Sequence, residues 1–187
     1  VNPDLEYAEA EVDGAHWILA VPSLRKLIDQ KHVVHELRRL KGSELLNWKA
    51  KNPVTGAEVP VLPASFVSDS FGTGVVMSVP SHAPFDYLAL KELQDQGNST
   101  AKSLQPICLI EGDFPAHFAI ETCKSMNIKN TEDPKVDEAT NLVYKKEFHT
   151  GKLSKITGKY SSKSIQQAKP ELVADFVKEN KAIILHE

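Results

Sequence analysis

Cysteine is scarce in this chain: Cys108 and Cys123 are the only two, too far apart for a CxxC metal or redox motif. Such usage suits a reducing intracellular compartment. Cys108 lies in the apolar run Pro106-Ile107-Cys108-Leu109-Ile110 and is expected to be a buried small hydrophobe. No run of about 18 apolar residues occurs, so no membrane-spanning helix is expected. The N-terminus Val1-Asn2-Pro3-Asp4 has no basic start, hydrophobic segment or initiator methionine, and it reads like the inside of a longer chain. A formal net charge of -3 offers nucleic acid no overall attraction, although a local basic patch stays open. GxSxG is absent, which removes the serine-hydrolase nucleophile elbow. Neither Gly151-Lys152 nor Gly158-Lys159 is followed by Ser or Thr, which removes the phosphate-binding P-loop. His16, beside Trp17, reads as structural, and His32, His35, His117, His149 and His186 are scattered without metal-ligand spacing.

What remains is ordinary globular composition, 41% hydrophobic and 25% charged, in 187 residues, enough for one domain with a real core. Glu6 to Val12, Asp13-Gly14 and His16 to Val21 predict a hairpin. Leu24, Leu27 and Ile28 have helical spacing, with Ser23 as an N-cap. Val33 to Leu40 predicts a strand. Asn52-Pro53-Val54-Thr55-Gly56 is turn-rich, and Val59 to Ala64, with two prolines, suits an edge strand or extended loop. Phe85 to Gln96 predicts a helix ended by Gly97. Further on, a strand is expected at Ile107 to Ile110, helices at Ala116 to Met126, Ala139 to Phe148 and Ser164 to Asn180, and a returning strand at Ala182 to Leu185. Short strands and frequent turns ahead of any strong helix point to an α+β fold, a small bent sheet or β-barrel core with flanking helices.

The stretch from Gly72 to Leu93 carries the chemistry. Gly72-Thr73-Gly74 is either a tight turn or a place where backbone comes close to something. Val75 to Val79 predicts a strand with Val75, Met77 and Val79 on one face. Pro80 ends it, Ser81 can cap the next helix, and Pro84 falls in the first turn. Asp86 then sits near a helix N-terminus, where it either complements the macrodipole or serves a site. Its spacing to Leu90 and Leu93 sets it at the edge of an apolar face, and His82 precedes it by four residues. A histidine, a carboxylate and loose backbone at one strand end could hold a small polar ligand.

Gly72 to Tyr87 resembles the core motif of leucyl-tRNA synthetase editing domains, within a GTGxVxxxPxHxxxD pattern shared with the valyl and isoleucyl enzymes; the residues before Asp86 resemble the archaeal and eukaryotic leucyl type. The likeness takes in Leu40 to Leu46, Asn52 to Ala64, Tyr144 to Gly151 and Gly158 to Ala168, and is most specific over residues 66–93. It implies one editing domain over 1–187, a piece of a larger class I synthetase, and hydrolysis of the ester of a misacylated tRNA for leucine. Asp86 would hold the α-ammonium and His82 would lie near the ester, as catalytic residues. Met77 and Val79 would line the side-chain pocket, Gly72, Thr73, Gly74 and Val75 would meet the terminal adenosine, and Ser78 would belong to the same surface. Water would attack, with no covalent intermediate.

No cofactor is implied within this domain; ATP and Mg would serve the parent enzyme. The implied partners are mischarged tRNA for leucine and the rest of the synthetase, with no membrane or DNA, in the cytoplasm. The family's threonine-rich strand would precede Val1. Ala83 stands where bacterial leucyl enzymes carry an aspartate, so a second carboxylate is not expected. The alternatives are a valyl or isoleucyl editing domain, or a non-catalytic tRNA-binding module. Trp48 and Tyr87 could stack on a base or simply fill space, and Lys145 to Lys163 could be solvated surface or a tRNA grip.

Overall fold

The computed structural model describes residues 1–186. It divides into two compact units. The first holds Val1–Asn52, Gly56–Met77 and the residues from Ile183; the second holds Pro53–Thr55 and Ser78–Ala182.

In the first unit, β1 (Glu6–Val12) is the middle strand of an antiparallel sheet, between β2 (Ala15–Ala20) and β3 (Val34–Lys41). Asp13 and Gly14, with φ of 51° and 84°, make the two-residue turn expected of an Asp-Gly pair. Because strand side chains alternate, the register sorts the apolar residues into two clusters. Tyr7 stands opposite both Ala20 and Leu40, and these pack with Val1 and Leu45. Ala8, Ala10 and Val12 face the other way, with Leu19, and receive Leu24 and Leu27 from α1 (Val21–Asp29). Ser23 does not cap α1. The helix starts earlier, with proline in its first turn, and the buried Ser23 hydroxyl donates instead to the Gly72 carbonyl at 2.9 Å.

A short hairpin, β4 (Lys49–Lys51) with β5 (Glu58–Pro60), surrounds the turn-rich Asn52 to Gly56 segment. The extended-loop expectation holds beyond Pro60. Ala182 to Leu185 is no strand, yet Ile183 and Leu185 return to pack on the cluster around Leu19, and the His186 amide donates to Gln30 Oε1 at 2.9 Å.

The second unit is mainly helical. Its helices are α2 (Pro84–Asp95), α3 (Ser99–Ser103), α4 (Phe118–Ser125), α5 (Val136–Thr150) and α6 (Ile165–Lys178). Leu88 of α2, Cys123 of α4, Ile128, and Val136 and Ala139 of α5 form its core cluster. Ser164 caps α6 through a reciprocal box with Gln167. The strand expected over Ile107 to Ile110 shrinks to β6 (Ile110–Glu111), paired with β7 (Lys152–Leu153). Cys108 is only half-buried, its thiol turned to the Ile110 carbonyl at 3.3 Å, so the buried cysteine is Cys123. All sheets among the described residues are small and open, so the bent-sheet alternative describes the fold and the barrel does not. No helix among these residues is long and apolar enough to cross a membrane.

Candidate active site

In the first unit, Gly72-Thr73-Gly74 is a turn held by its carbonyls. Ser23 Oγ donates to Gly72, the Ala20 amide to Thr73 at 2.8 Å, and the Tyr7 hydroxyl to Gly74 at 2.8 Å. Gly74 has φ +68°, and a Cβ there would sit 2.5 Å from the Ala20 Cβ. Both readings of this glycine therefore apply: left-handed backbone and a close approach. Gly72 shares the left-handed conformation, at φ +57°, without the crowding.

The stretch that follows is not the predicted strand. Val75 to Val79 has no regular secondary structure: no ladder forms, and among the described residues no hydrogen bond reaches the backbone of Val76, Met77 or Ser78. Alternating residue types give the period of a strand without giving it a partner. The expected shared face of Val75, Met77 and Val79 is thereby lost. Val75, Val76 and Met77 are all exposed, Met77 by 54%, with its sulfur 3.7 Å from Asn52 Nδ2. Ser78 is exposed and Val79 half-buried.

In the second unit, the main chain turns sharply after Val79. The Val79 carbonyl accepts from the amides of His82 at 2.9 Å and Ala83 at 3.0 Å. Its amide donates to Asp86 Oδ2 at 2.6 Å. Asp86 is thus fixed to the backbone seven residues before it, in the first turn of α2, and only 7% exposed. Among the described residues every fully buried side-chain oxygen and nitrogen is hydrogen-bonded. Oδ1 of Asp86 has no such bond among them. Burial lifts this carboxyl above the ordinary aspartate range, and the Val79 amide opposes the shift in part. The result is a carboxylate with one oxygen anchored and the other not.

Ser81 does not cap α2, which begins after Ala83 with no side-chain cap. The buried Ser81 hydroxyl pairs with His117 Nδ1 at 2.8 Å, and its carbonyl accepts the Ala119 amide. His82 is 5% exposed, and both ring nitrogens are engaged: Nδ1 with Glu147 Oε1 at 2.8 Å, Nε2 accepting the Leu109 amide at 2.8 Å. Both ring nitrogens are thus taken up in a clamp between α5 and the Leu109 main chain. Tyr144, one turn before Glu147 on α5, is about half exposed, and its phenol pKa is raised by partial desolvation and by the negative charges of Asp86 and Glu147.

Glu147, Tyr144 and His117 were not singled out from the sequence. The signal for Glu147 was present: Val136, Ala139, Val143 and Glu147 are the buried positions of α5, so a carboxylate sits on an apolar stripe. Among the described residues no group of three His, Cys, Asp or Glu could hold a metal.

Residues 23–94 match the family model described as the leucyl-tRNA synthetase editing domain. The whole chain aligns with a leucine–tRNA ligase of Methanothrix thermoacetophila at 39% identity, covering 100% of this chain and 20% of that protein. The corresponding ligase of Methanosarcina barkeri is 42% identical over 96% of this chain and 20% of its own length. The chain is similar over nearly its whole length to leucine–tRNA ligases, and over residues 23–94 to their editing domain. It spans about a fifth of the length of the curated relatives it matches. The fold is shared as well. A crystal structure of the P. falciparum cytosolic leucyl-tRNA synthetase editing domain superposes with a TM-score of 0.90, over 100% of this chain and 73% of that one, at 14% identity. The matches name leucyl enzymes, and the valyl or isoleucyl alternative is set aside. The match to the editing-domain model covers both the glycine turn and the Asp86 helix.

Proposed function

We propose that this chain is the proofreading module of a leucine–tRNA ligase, hydrolysing the ester that links a wrong amino acid to tRNA for leucine. The observation that carries the reading is Asp86, a desolvated carboxylate with Oδ2 held by the Val79 amide and Oδ1 without a hydrogen bond among the described residues. An α-ammonium is a fitting partner for such a group, and a charge-assisted bond would fix the substrate's head. The need is general: an apolar pocket separates side chains that differ by one methylene by only ~1–3 kcal/mol, so close analogues of leucine require a second, excluding site.

In this reading water adds to the ester carbonyl carbon, the bond to the ribose oxygen breaks, and the free amino acid and the tRNA hydroxyl leave. Asp86 orients, and no protein nucleophile is required. Met77 and Val79 line the pocket for the amino acid's side chain, Ser78 belongs to the same surface, and the backbone of Gly72, Thr73, Gly74 and Val75 meets the terminal adenosine. His82 acts by holding the main chain in place rather than by touching the ester. ATP and Mg serve the charging reaction elsewhere in the parent enzyme, in the cytoplasm.

The test is deacylation of isoleucyl-tRNA for leucine by the full-length protein. Asp86→Ala should remove it while leucine charging continues. Asp86→Glu should be nearly as damaging, because one methylene displaces the anchor enough to spoil the geometry. Full deacylation by Asp86→Glu would reduce Asp86 to a residue that merely complements the helix dipole, and deacylation absent from the parent would leave a tRNA-binding module.

A further inference from the structure

The bond between His82 and Glu147 joins residues 65 apart in sequence, both almost wholly buried, at 2.8 Å. The polarity of this contact is set by the third member. Leu109 contributes an amide N–H, which can only donate, so Nε2 of His82 must carry a lone pair. The single ring proton then lies on Nδ1 and is given to Glu147, which must accept. The imidazole is neutral, with one tautomer selected by two bonds of opposite sense.

What this clamp grips is the turn that builds the anchor. His82 lies between Val79, whose carbonyl takes the His82 and Ala83 amides, and Asp86, whose Oδ2 takes the Val79 amide. Moving the imidazole moves its own amide, then the Val79 peptide, then the carboxylate. Asp86 itself makes no hydrogen bond to α5 among the described residues, so His82 is the hydrogen-bonded route by which that helix reaches it.

We propose that Glu147 is a positioning residue for the editing reaction, fixing the Asp86 carboxylate through the His82 tautomer and the Val79 to Ala83 turn. The proposal rests on the proofreading reading above. It requires an oxygen acceptor at position 147 rather than a negative charge. A carboxamide oxygen can take the same Nδ1 proton, whereas a methyl group leaves that proton buried and unpaired.

Two measurements on the full-length protein decide it: single-turnover deacylation of isoleucyl-tRNA for leucine, and hydrogen–deuterium exchange by mass spectrometry. Glu147→Ala should slow deacylation on the order of 100-fold, the scale of an ångström of misplacement, with little change in the half-saturating tRNA concentration. It should also speed exchange in peptides covering 78–87, far from the substitution in sequence. Glu147→Gln should keep both near the wild type. Unchanged deacylation and exchange in Glu147→Ala would overturn the proposal. So would exchange rising equally in peptides from β1 to β3, which would mean general destabilisation. A Gln variant as impaired as Ala, with a normal thermal melt, would overturn it too, since charge would then be what counts. If the wild type shows no deacylation, the proofreading reading fails by itself, and the exchange pattern still decides whether Glu147 holds the turn.

Discussion

Asp86 is costly to the fold in the state its proposed task requires. Its carboxyl titrates above the ordinary aspartate range when folded, chiefly because it is desolvated. Between the unfolded and folded values the folded chain binds the extra proton. The stability this residue contributes is therefore full at pH below the ordinary aspartate value, and is lost as pH rises through the raised one. At neutral pH Asp86→Asn, whose amide oxygen can still accept from Val79, should raise the thermal midpoint and abolish deacylation together. A midpoint that falls would contradict the desolvation account. In the wild type the acid limb of deacylation should lie above the ordinary carboxylate range, because only the ionised form pairs with an ammonium. Asp86 was legible in the sequence because helix position, apolar spacing and a nearby histidine coincide. Glu147 was not, because its partner lies 65 residues away and linear spacing says nothing about such a pair.

Elements with strong local signals were read well. The Asp13-Gly14 hairpin, α2 ahead of Gly97, and α6 behind Ser164 all follow from turn and cap chemistry acting within a few residues. The strand expected over Val75 to Val79 failed because a strand needs a hydrogen-bonded neighbour, which composition alone cannot supply. Ser23 and Ser81 failed as caps for a related reason: each hydroxyl is committed to a distant group, the Gly72 carbonyl and His117. The two glycines of the turn can be separated experimentally. Gly72→Ala meets open space and should cost only the left-handed backbone preference, roughly 1–2 kcal/mol. Gly74→Ala carries that cost and also drives a methyl group into Ala20, so it should lose distinctly more. Urea denaturation of both variants checks the order. Equal losses would mean that the close approach to Ala20 relaxes freely.

At the scale of the whole molecule, each unit has its own core, a division the sequence did not announce because no linker-like composition marks Met77-Ser78. The second core carries an internal reporter. Burial pushes the Cys123 thiol up to about 11, whereas Cys108 is only half-buried. At pH 8 a thiol of that kind is ionised to only about one part in a thousand. Alkylation followed by mass spectrometry should therefore mark Cys108 first, with Cys123 reacting only as its helical core opens under urea. Comparable rates for both in native buffer would refute that burial. The first core has a different property, set by Ile183 and Leu185 packing on the cluster that β1, β2 and α1 begin. A ribosome releases the chain N-terminus first, at about 5–20 residues per second. The sheet of the first unit therefore emerges early and waits, one flank uncovered, while residues 78–182 are made. Within this stretch, a sheet made early is completed only by residues made much later.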